Sequence, residues 1–417
     1  LIQQSVTSAG IRVVSERIPG ARSVCTGVWV GVGARDEPAE QAGVSHFLEH
    51  LLFKGTPQRS AQDIARSVDR LGGDMNAFTS KEYTAYYTRL PAGHLEAGID
   101  LLGDVLSTPS LADADVESER QVILEELAMD EDTPDDRVHT LLGELLFSEH
   151  PLGRETAGER ATVAAITATD VRDFFARWYR PTNLVVAAAG EIDHGDVVAF
   201  VERCFLGGDT GVAPHRTAPS EPVRDLAVMR RPGEQAHLAI GYRAFNRSHP
   251  DRDALEVLNH VVGGGMSSRL FEEIRERRGL AYSVWSAPVA YADAGAFTIY
   301  VGTSPDHLAD VLELVDHELE RLLSDGITDD ELEIAIGYLT GSYLLAMEDA
   351  SSRMGRLGGQ LTVLGKLVDV DEQLARYRAV TRADVSRVAE AVLSSQRAVA
   401  VVGPTAVKAV RRLLQPV

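Results

Sequence analysis

Apolar and polar positions along the chain alternate with two periods, and the switches between them outline its elements. In residues 9–33, which read as two strands, Val24, Thr26, Val28, Val30 and Val32 keep one parity β-branched, while the other carries small residues and Trp29. Residues 44–55 are apolar on nearly every side, as a buried helix would be. Ser60 is placed to cap a helix ending near Leu71, Gly72-Gly73 turns the chain, and strands follow near 74–79 and 82–90. Helices are expected at about 94–107, 113–132, 135–147 and 169–178, then a strand at 184–190 and a helix at 195–203.

From 206 to 222 the text changes to L-G-G-D-T-G-V-A-P-H-R-T-A-P-S-E-P, whose three glycines and three prolines read as an interdomain linker. The pattern then restarts, with strands near 224–231 and 236–245 and helices from about 251 and 267. Strands at 281–290 and 295–302 and long helices at 306–323 and 329–347 follow. A shift of 210 residues lays S-H-F-L-E-H-L-L-F-K-G (45–55) over L-E-V-L-N-H-V-V-G-G-G (255–265), and a shift of 213 to 216 lays His94-Leu95 on His307-Leu308 and Leu111 on Ile327. This points to an internal duplication. His50 falls on His260, but His46 meets Glu256 and Glu49 meets Asn259, so His260 stands isolated and reads as a core histidine.

Composition narrows the class. Hydrophobic residues at 44% and charged residues at 25% are ordinary for a soluble globular chain, and 417 residues suffice for two domains. No apolar run approaches the length of a membrane helix. The first ten residues have neither a basic nor an apolar region of a secretory signal, although a targeting segment removed upstream stays open. Cys25 and Cys204 lie far apart, which excludes a disulfide framework and fits a reducing compartment. The 41 basic against 62 acidic residues give a net charge of −21, which argues against nucleic acid or anionic membrane as partner. Such acidity serves solubility, or attracts basic peptides.

Chemistry concentrates in 44–55, V-S-H-F-L-E-H-L-L-F-K-G. His46 and His50, four apart, share one helix face, and Glu49 points to nearly the same side. This H-x-x-E-H order reverses the H-E-x-x-H of many zinc peptidases. Three clustered ionisable groups in an apolar helix are costly unless something compensates them, and a metal ion would. The competing reading is a core helix whose histidines bond to backbone carbonyls. Catalytic zinc takes three protein ligands, and the third is sought in E-S-E-R-Q-V-I-L-E-E-L, 117–127. Val122, Ile123 and Leu127 mark its packed face; Glu119 and Glu126, two turns apart, share a face, whereas Glu125 points elsewhere. By pattern alone a solvated acidic helix face is the favoured reading.

In combination and in order, H-F-L-E-H-L-L-F-K-G-T, N-A-F-T-S and E-R-Q-V-I-L-E-E resemble the pitrilysin/insulinase family of zinc peptidases, in its two-domain branch. The resemblance continues through H-P-L-G (150–153), W-Y-R-P-T-N (178–183) and G-G-G-M-S-S-R-L-F-E-E-I-R-E-R-R-G-L-A-Y (263–282). It implies an α+β fold of two similar domains related by duplication, each a mainly antiparallel sheet with helices packed on one face. The expected division is a catalytic domain 1–206, a linker 207–222 and an inactive duplicate 223–417. It implies Zn2+ as cofactor, with His46, His50 and Glu126 as ligands, Glu49 as general base and Glu119 as a supporting carboxylate. Asn76 would flank an extended peptide, and Arg275 and Tyr282 would contact it from the second half. Asp136 matches one member of an acidic pair that reads arginine, but Thr140 replaces the other. The implied activity is cleavage of extended or unfolded peptides or leader segments by a homodimer. The bacterial-type cytoplasm is the expected compartment, with the mitochondrial matrix as the alternative. A non-catalytic scaffold subunit of the same fold is the competing function.

Overall fold

The computed structural model describes residues 1–205 and 210–414, arranged as two compact units. Neither unit is continuous in sequence. The first comprises 1–127, 154–216 and 344–367; the second comprises 128–153, 217–343 and 368–417, described as far as 414. Two segments therefore pack with the half of the chain opposite to their own, an exchange that the linear division at 207–222 does not contain.

The first unit is built on strands β1 (Ile2–Val6), β2 (Arg12–Arg17), β3 (Ser23–Val30), β4 (Asp74–Thr79), β5 (Thr84–Pro91) and β6 (Leu184–Gly190). They lie in the order β1-β2-β6-β3-β5-β4, antiparallel except for β2 beside β6. Side chains alternate between faces. Val13, Val24, Val28, Val30 and Val186 face the main core, against the helices Val44–Leu52, Leu95–Ser107 and Ala168–Trp178. Val14, Cys25, Trp29, Val185, Ala187 and Ala189 face the other way and are buried too. What covers them is the helix Ala350–Val363, through Ala350, Met354, Leu357 and Leu361. Asp349 caps this helix by accepting the Ser352 N–H at 2.7 Å, and Arg353 and Arg356 pair with Glu16 of β2 at 2.8 and 3.6 Å.

The second unit repeats the plan. Strands β7 (Leu226–Arg230), β8 (Ala236–Ala244), β9 (Ala281–Ala290), β10 (Gly295–Thr303) and β11 (Ala398–Gly403) lie in the order β7-β11-β8-β10-β9. Only β7 and β11 run parallel. Position for position and sense for sense this is β2-β6-β3-β5-β4 again, so the duplication read from the 210-residue shift is present in the topology. Leu238, Ile240, Phe297, Ile299, Val399 and Val401 face the helices Arg252–Val262, Leu308–Asp325 and Arg382–Leu393. On the opposite face Ala239, Ala296, Ala398, Ala400 and Val402 meet the helix Pro134–Phe147 through Val138, Leu141, Leu142, Leu145 and Leu146. Shifted by 216, Pro134–Phe147 falls on Ala350–Val363. Each sheet is thus covered by the helix that belongs to the other repeat.

The α+β class and the mainly antiparallel sheets stand as expected. The helices on one face are joined by this single helix on the second, because strands such as L-V-V-A-A-A-G (β6) are apolar on both parities and need cover on both. Other differences are local. The strand β1 and the elements after residue 347 were not anticipated, and the helix expected from 267 is a short wide-wound turn, Phe271–Glu276. Of the linker, 206–209 lie outside the described residues, and 210–225 contain no helix or strand. Within it Arg216 is tied down: its guanidinium pairs with Asp36 at 2.7 Å and donates to the Glu82 carbonyl at 2.6 Å.

Gly358 shows how tightly the exchanged helix is seated. A Cβ there would come within 2.1 Å of the Trp29 ring. Alanine gains about 1 kcal/mol of helix propensity over glycine, whereas overpacking a core costs about 1–3 kcal/mol. With three ring atoms at 2.1–2.5 Å the cost belongs at the upper end, so Gly358→Ala is expected to lower the stability by about 2 kcal/mol in urea denaturation, and an unchanged or raised midpoint would show that the helix can slide off the ring.

Candidate metal centre

The helix Val44–Leu52 begins without a side-chain cap of its own, at Gly43 with φ of 97°. Glycine is required there, because a Cβ would also lie 2.5 Å from the Ala157 carbonyl oxygen. The cap comes from Glu37 instead, whose two carboxylate oxygens accept the N–H groups of Gly43 and Ser45, each at 2.7 Å. Glu37 is 5% exposed. Burial pushes its carboxyl up to about 7 against the pull of those backbone hydrogen bonds. Sequence reading missed Glu37, since it reaches the helix from six residues before the capping position.

Along the helix, Val44, Phe47, Leu48, Leu51 and Leu52 are buried, and His46, Glu49 and His50 form one half-buried polar stripe. Facing them is the helix Asp113–Asp132. There Val116, Glu119, Ile123 and Leu127 are buried, while Val122, expected on the packed face, is 40% exposed. The inward stripe runs 116-119-123-127, holding Ile123 and Leu127 as expected and leaving Val122 out, and Glu126 stands half-buried beside it while Glu125 is exposed.

The Nε2 atoms of His46 and His50 lie 3.2 Å apart, and Oε2 of Glu126 lies 3.6 Å from Nε2 of His50. One donor atom from each of the three residues falls within 4.8 Å of the others, the one such cluster among the described residues. Glu119, 4% exposed, takes the other side of His50: its Oε1 accepts from Nδ1 at 2.9 Å. That bond places the proton of neutral His50 on Nδ1 and leaves Nε2 a bare lone pair. Burial above all, with His50 adding, holds His46 down to about 4, so it is neutral at pH 7. Burial opposes ionisation of Glu119, but hydrogen bonds from Lys54 and His50 outweigh it and keep the carboxylate below its usual range.

These residues fit zinc. Two imidazole lone pairs and a carboxylate converging on one point repel each other unless a cation lies between them. Separations of 3.2 and 3.6 Å match the edge of about 3.3 Å of a tetrahedron with bonds of about 2.0–2.1 Å. Three protein donors are the number a catalytic site uses, whereas a structural site takes four. Glu49 lies next to them, half-buried, with Oε2 accepting from the Thr79 hydroxyl at 2.5 Å. Burial raises its pKa, and Thr79 and then His50 oppose the rise.

The remaining expected residues divide between the units. Asn76 is exposed on β4, the edge strand of the first sheet, and its Oδ1 accepts the Ala77 N–H at 2.8 Å. Arg275 and Tyr282 belong to the second unit and meet there, the guanidinium 5.0 Å from the centre of the phenol ring, with Tyr282 80% exposed. Asp136 is exposed in the first turn of Pro134–Phe147. In the duplicate, His260 is buried and stacked on Tyr338 at 4.3 Å, a core histidine as expected.

Over 99% of this chain and 92% of the other, the sequence is 43% identical to an uncharacterized zinc protease of Streptomyces coelicolor. Residues 12–160 match the family model described as Insulinase (Peptidase family M16), and 165–339 match that of the Peptidase M16 inactive domain. The chain belongs to peptidase family M16. An uncharacterized zinc protease of Bacillus subtilis is 38% identical over 97% of this chain and 99% of its own. Among solved structures, a protease from Helicobacter pylori superposes with a TM-score of 0.91 at 24% identity, covering 97% of this chain and 99% of that one, which concerns the fold. The M16 assignment agrees with the pitrilysin/insulinase resemblance, and the match to the inactive-domain model covers the end of the first repeat and much of the duplicate, in which no metal cluster is found among the described residues.

Chelator competition on the purified chain separates the two acidic residues. Glu126→Gln is expected to lose stoichiometric zinc, and Glu119→Gln to bind it about 10–100-fold more weakly because His50 loses its orienting partner. Wild-type affinity in Glu126→Gln would remove that residue from the donor set.

Proposed function

We propose that this M16 chain is a zinc-dependent endopeptidase that cleaves extended or unfolded peptides, leader segments among them. The convergence of His46, His50 and Glu126 beside Glu49 carries this reading. His46, His50 and Glu126 hold the ion, and Glu119 orients His50. Zinc, when bound, supplies Lewis acidity, acidifying water towards neutral pH and polarising a peptide carbonyl.

The chain's own residues do the rest. Glu49 takes the proton of the attacking water and returns it to the leaving amine. Its burial favours the protonated form and so suits it to the second step. The free edge of β4 offers main-chain donors and acceptors to an extended peptide, a mode that gives affinity with little demand on sequence. Asn76, exposed on that strand, binds the peptide, and Arg275, Tyr282 and Asp136 are substrate-binding residues of the second unit. The adjacent guanidinium and phenol of Arg275 and Tyr282 are donors suited to peptide carbonyl oxygens.

No helix among the described residues is long and apolar enough to cross a membrane, and the named relatives are bacterial. The working form in this reading is a homodimer in the bacterial-type cytoplasm, and sedimentation equilibrium is expected to give twice the mass of one chain. A monomer at micromolar concentration would contradict the homodimer.

Digestion of a diverse peptide library tests the activity. Wild type is expected to cleave, and Glu49→Gln to lose at least about a hundredfold in rate while keeping its zinc. Equal cleavage by both would remove Glu49 as the base, and absence of cleavage by zinc-loaded wild type would favour the scaffold reading.

A further inference from the structure

The two oxygens of the Glu49 carboxylate are treated differently. Oε2 accepts the 2.5 Å hydrogen bond from Thr79, and Oε1 accepts none among the described residues. Thr79 is the last residue of β4. Strand alternation puts its side chain on the same face as Met75 and Ala77, which pack against the core that holds the Val44–Leu52 helix, while Phe78 turns the other way, against Tyr83 and Tyr87.

The strand end that carries this hydroxyl is pinned. Thr79 pairs in register with Thr84. The turn between them is closed by the Ser80 N–H and hydroxyl, both donating to the Tyr83 carbonyl at 2.9 and 2.7 Å, and by the Tyr83 N–H returning to the Ser80 hydroxyl at 3.2 Å. Other hydroxyls of this layer are already engaged: Tyr86 and Tyr179 bond to each other at 2.8 Å. Thr79 is therefore the fixed donor on the carboxylate, and it sits on the strand whose free edge faces solvent.

We propose that Thr79 is a positioning residue: its hydroxyl pins Oε2 and reserves Oε1 of Glu49 for the proton of the attacking water. This rests on the peptidase reading given above. When Glu49 takes that proton at Oε1, Oε2 becomes the carbonyl oxygen of a neutral acid and still accepts from Thr79. The same hydrogen bond persists through both proton transfers, so the base needs no reorganisation between them. Without it the carboxylate is free about its terminal torsion, which is intrinsically broad. Thr79 also ties the base to the strand along which the peptide would align, so substrate register and base orientation share one rigid element.

The test compares Thr79→Val, which loses the hydroxyl but keeps a β-branched shape, with Thr79→Ser, which keeps the hydroxyl. On a peptide cleaved by wild type, kcat of Thr79→Val is expected to fall about ten- to a hundredfold, the size of a hydrogen bond to a charged group. KM and bound zinc are expected to stay within about twofold, and Thr79→Ser to restore most of kcat. Calorimetric binding of the same peptide to Glu49→Gln is expected to be unchanged when Thr79→Val is added. If Thr79→Val does not fold, Thr79→Ala carries the same comparison. A wild-type kcat without the hydroxyl, a fall explained by lost zinc or raised KM, or no rescue by serine would overturn the proposal. A wild type that cleaves nothing would bring down the peptidase reading itself, a result distinct from any of these.

Discussion

A stripe of three ionisable side chains on an otherwise apolar helix is the constraint around which the first unit is arranged. His46, Glu49 and His50 cannot be withdrawn from water without compensation, because each lost hydrogen bond or unpaired charge in such a place is destabilising. The compensation is supplied by a second helix in a definite order: Lys54 pairs with Glu119, Glu119 with Nδ1 of His50, and Glu126 stands at Nε2. The pieces around it serve that alignment. Glu37 fixes where the histidine helix starts, Gly43 lets the chain enter it, and Thr79 holds the one member of the stripe that is not a metal donor.

The two sheets provide the frame for this arrangement, and they do so by repetition. Five strands of the first sheet recur in the second with the same neighbours and the same single parallel pair. On the helix that carries the histidines the divergence includes the polar positions. Where the first repeat has His46 and Glu49, the second has Glu256 and Asn259, and the surviving His260 is buried and stacked on Tyr338. A kept strand order with altered polar residues is what a duplication that kept its chemistry in one copy would leave.

Much of this was legible in the residues because it is local. The period of Val24 to Val32 and the four-residue spacing of His46 and His50 each depend on one element, and helix geometry converts the second directly into a shared face. The third donor was not legible by period: Glu119 and Glu126 are two turns apart and equivalent on a helical wheel. The resemblance favoured Glu126, and the structure gives the physical distinction, since one carboxylate lies at each nitrogen of His50. What could not be read depends on contacts distant in sequence. Nothing in A-S-S-R-M-G-R-L-G-G-Q-L-T-V says that its apolar stripe covers Trp29, more than 300 residues earlier. Likewise Arg216 looks like a charge in a flexible linker until Asp36 is found beside it.

Every role proposed for this site requires the donor atoms of His46, His50 and Glu126 to hold a zinc ion. X-ray absorption at the zinc edge on the purified, metal-loaded protein tests it most directly. The expected result is one zinc per chain whose shell contains two imidazole nitrogens and one carboxylate oxygen, with the imidazole signal reduced in His46→Ala. A zinc shell without imidazole, or a protein that takes up no zinc at neutral pH, would contradict it.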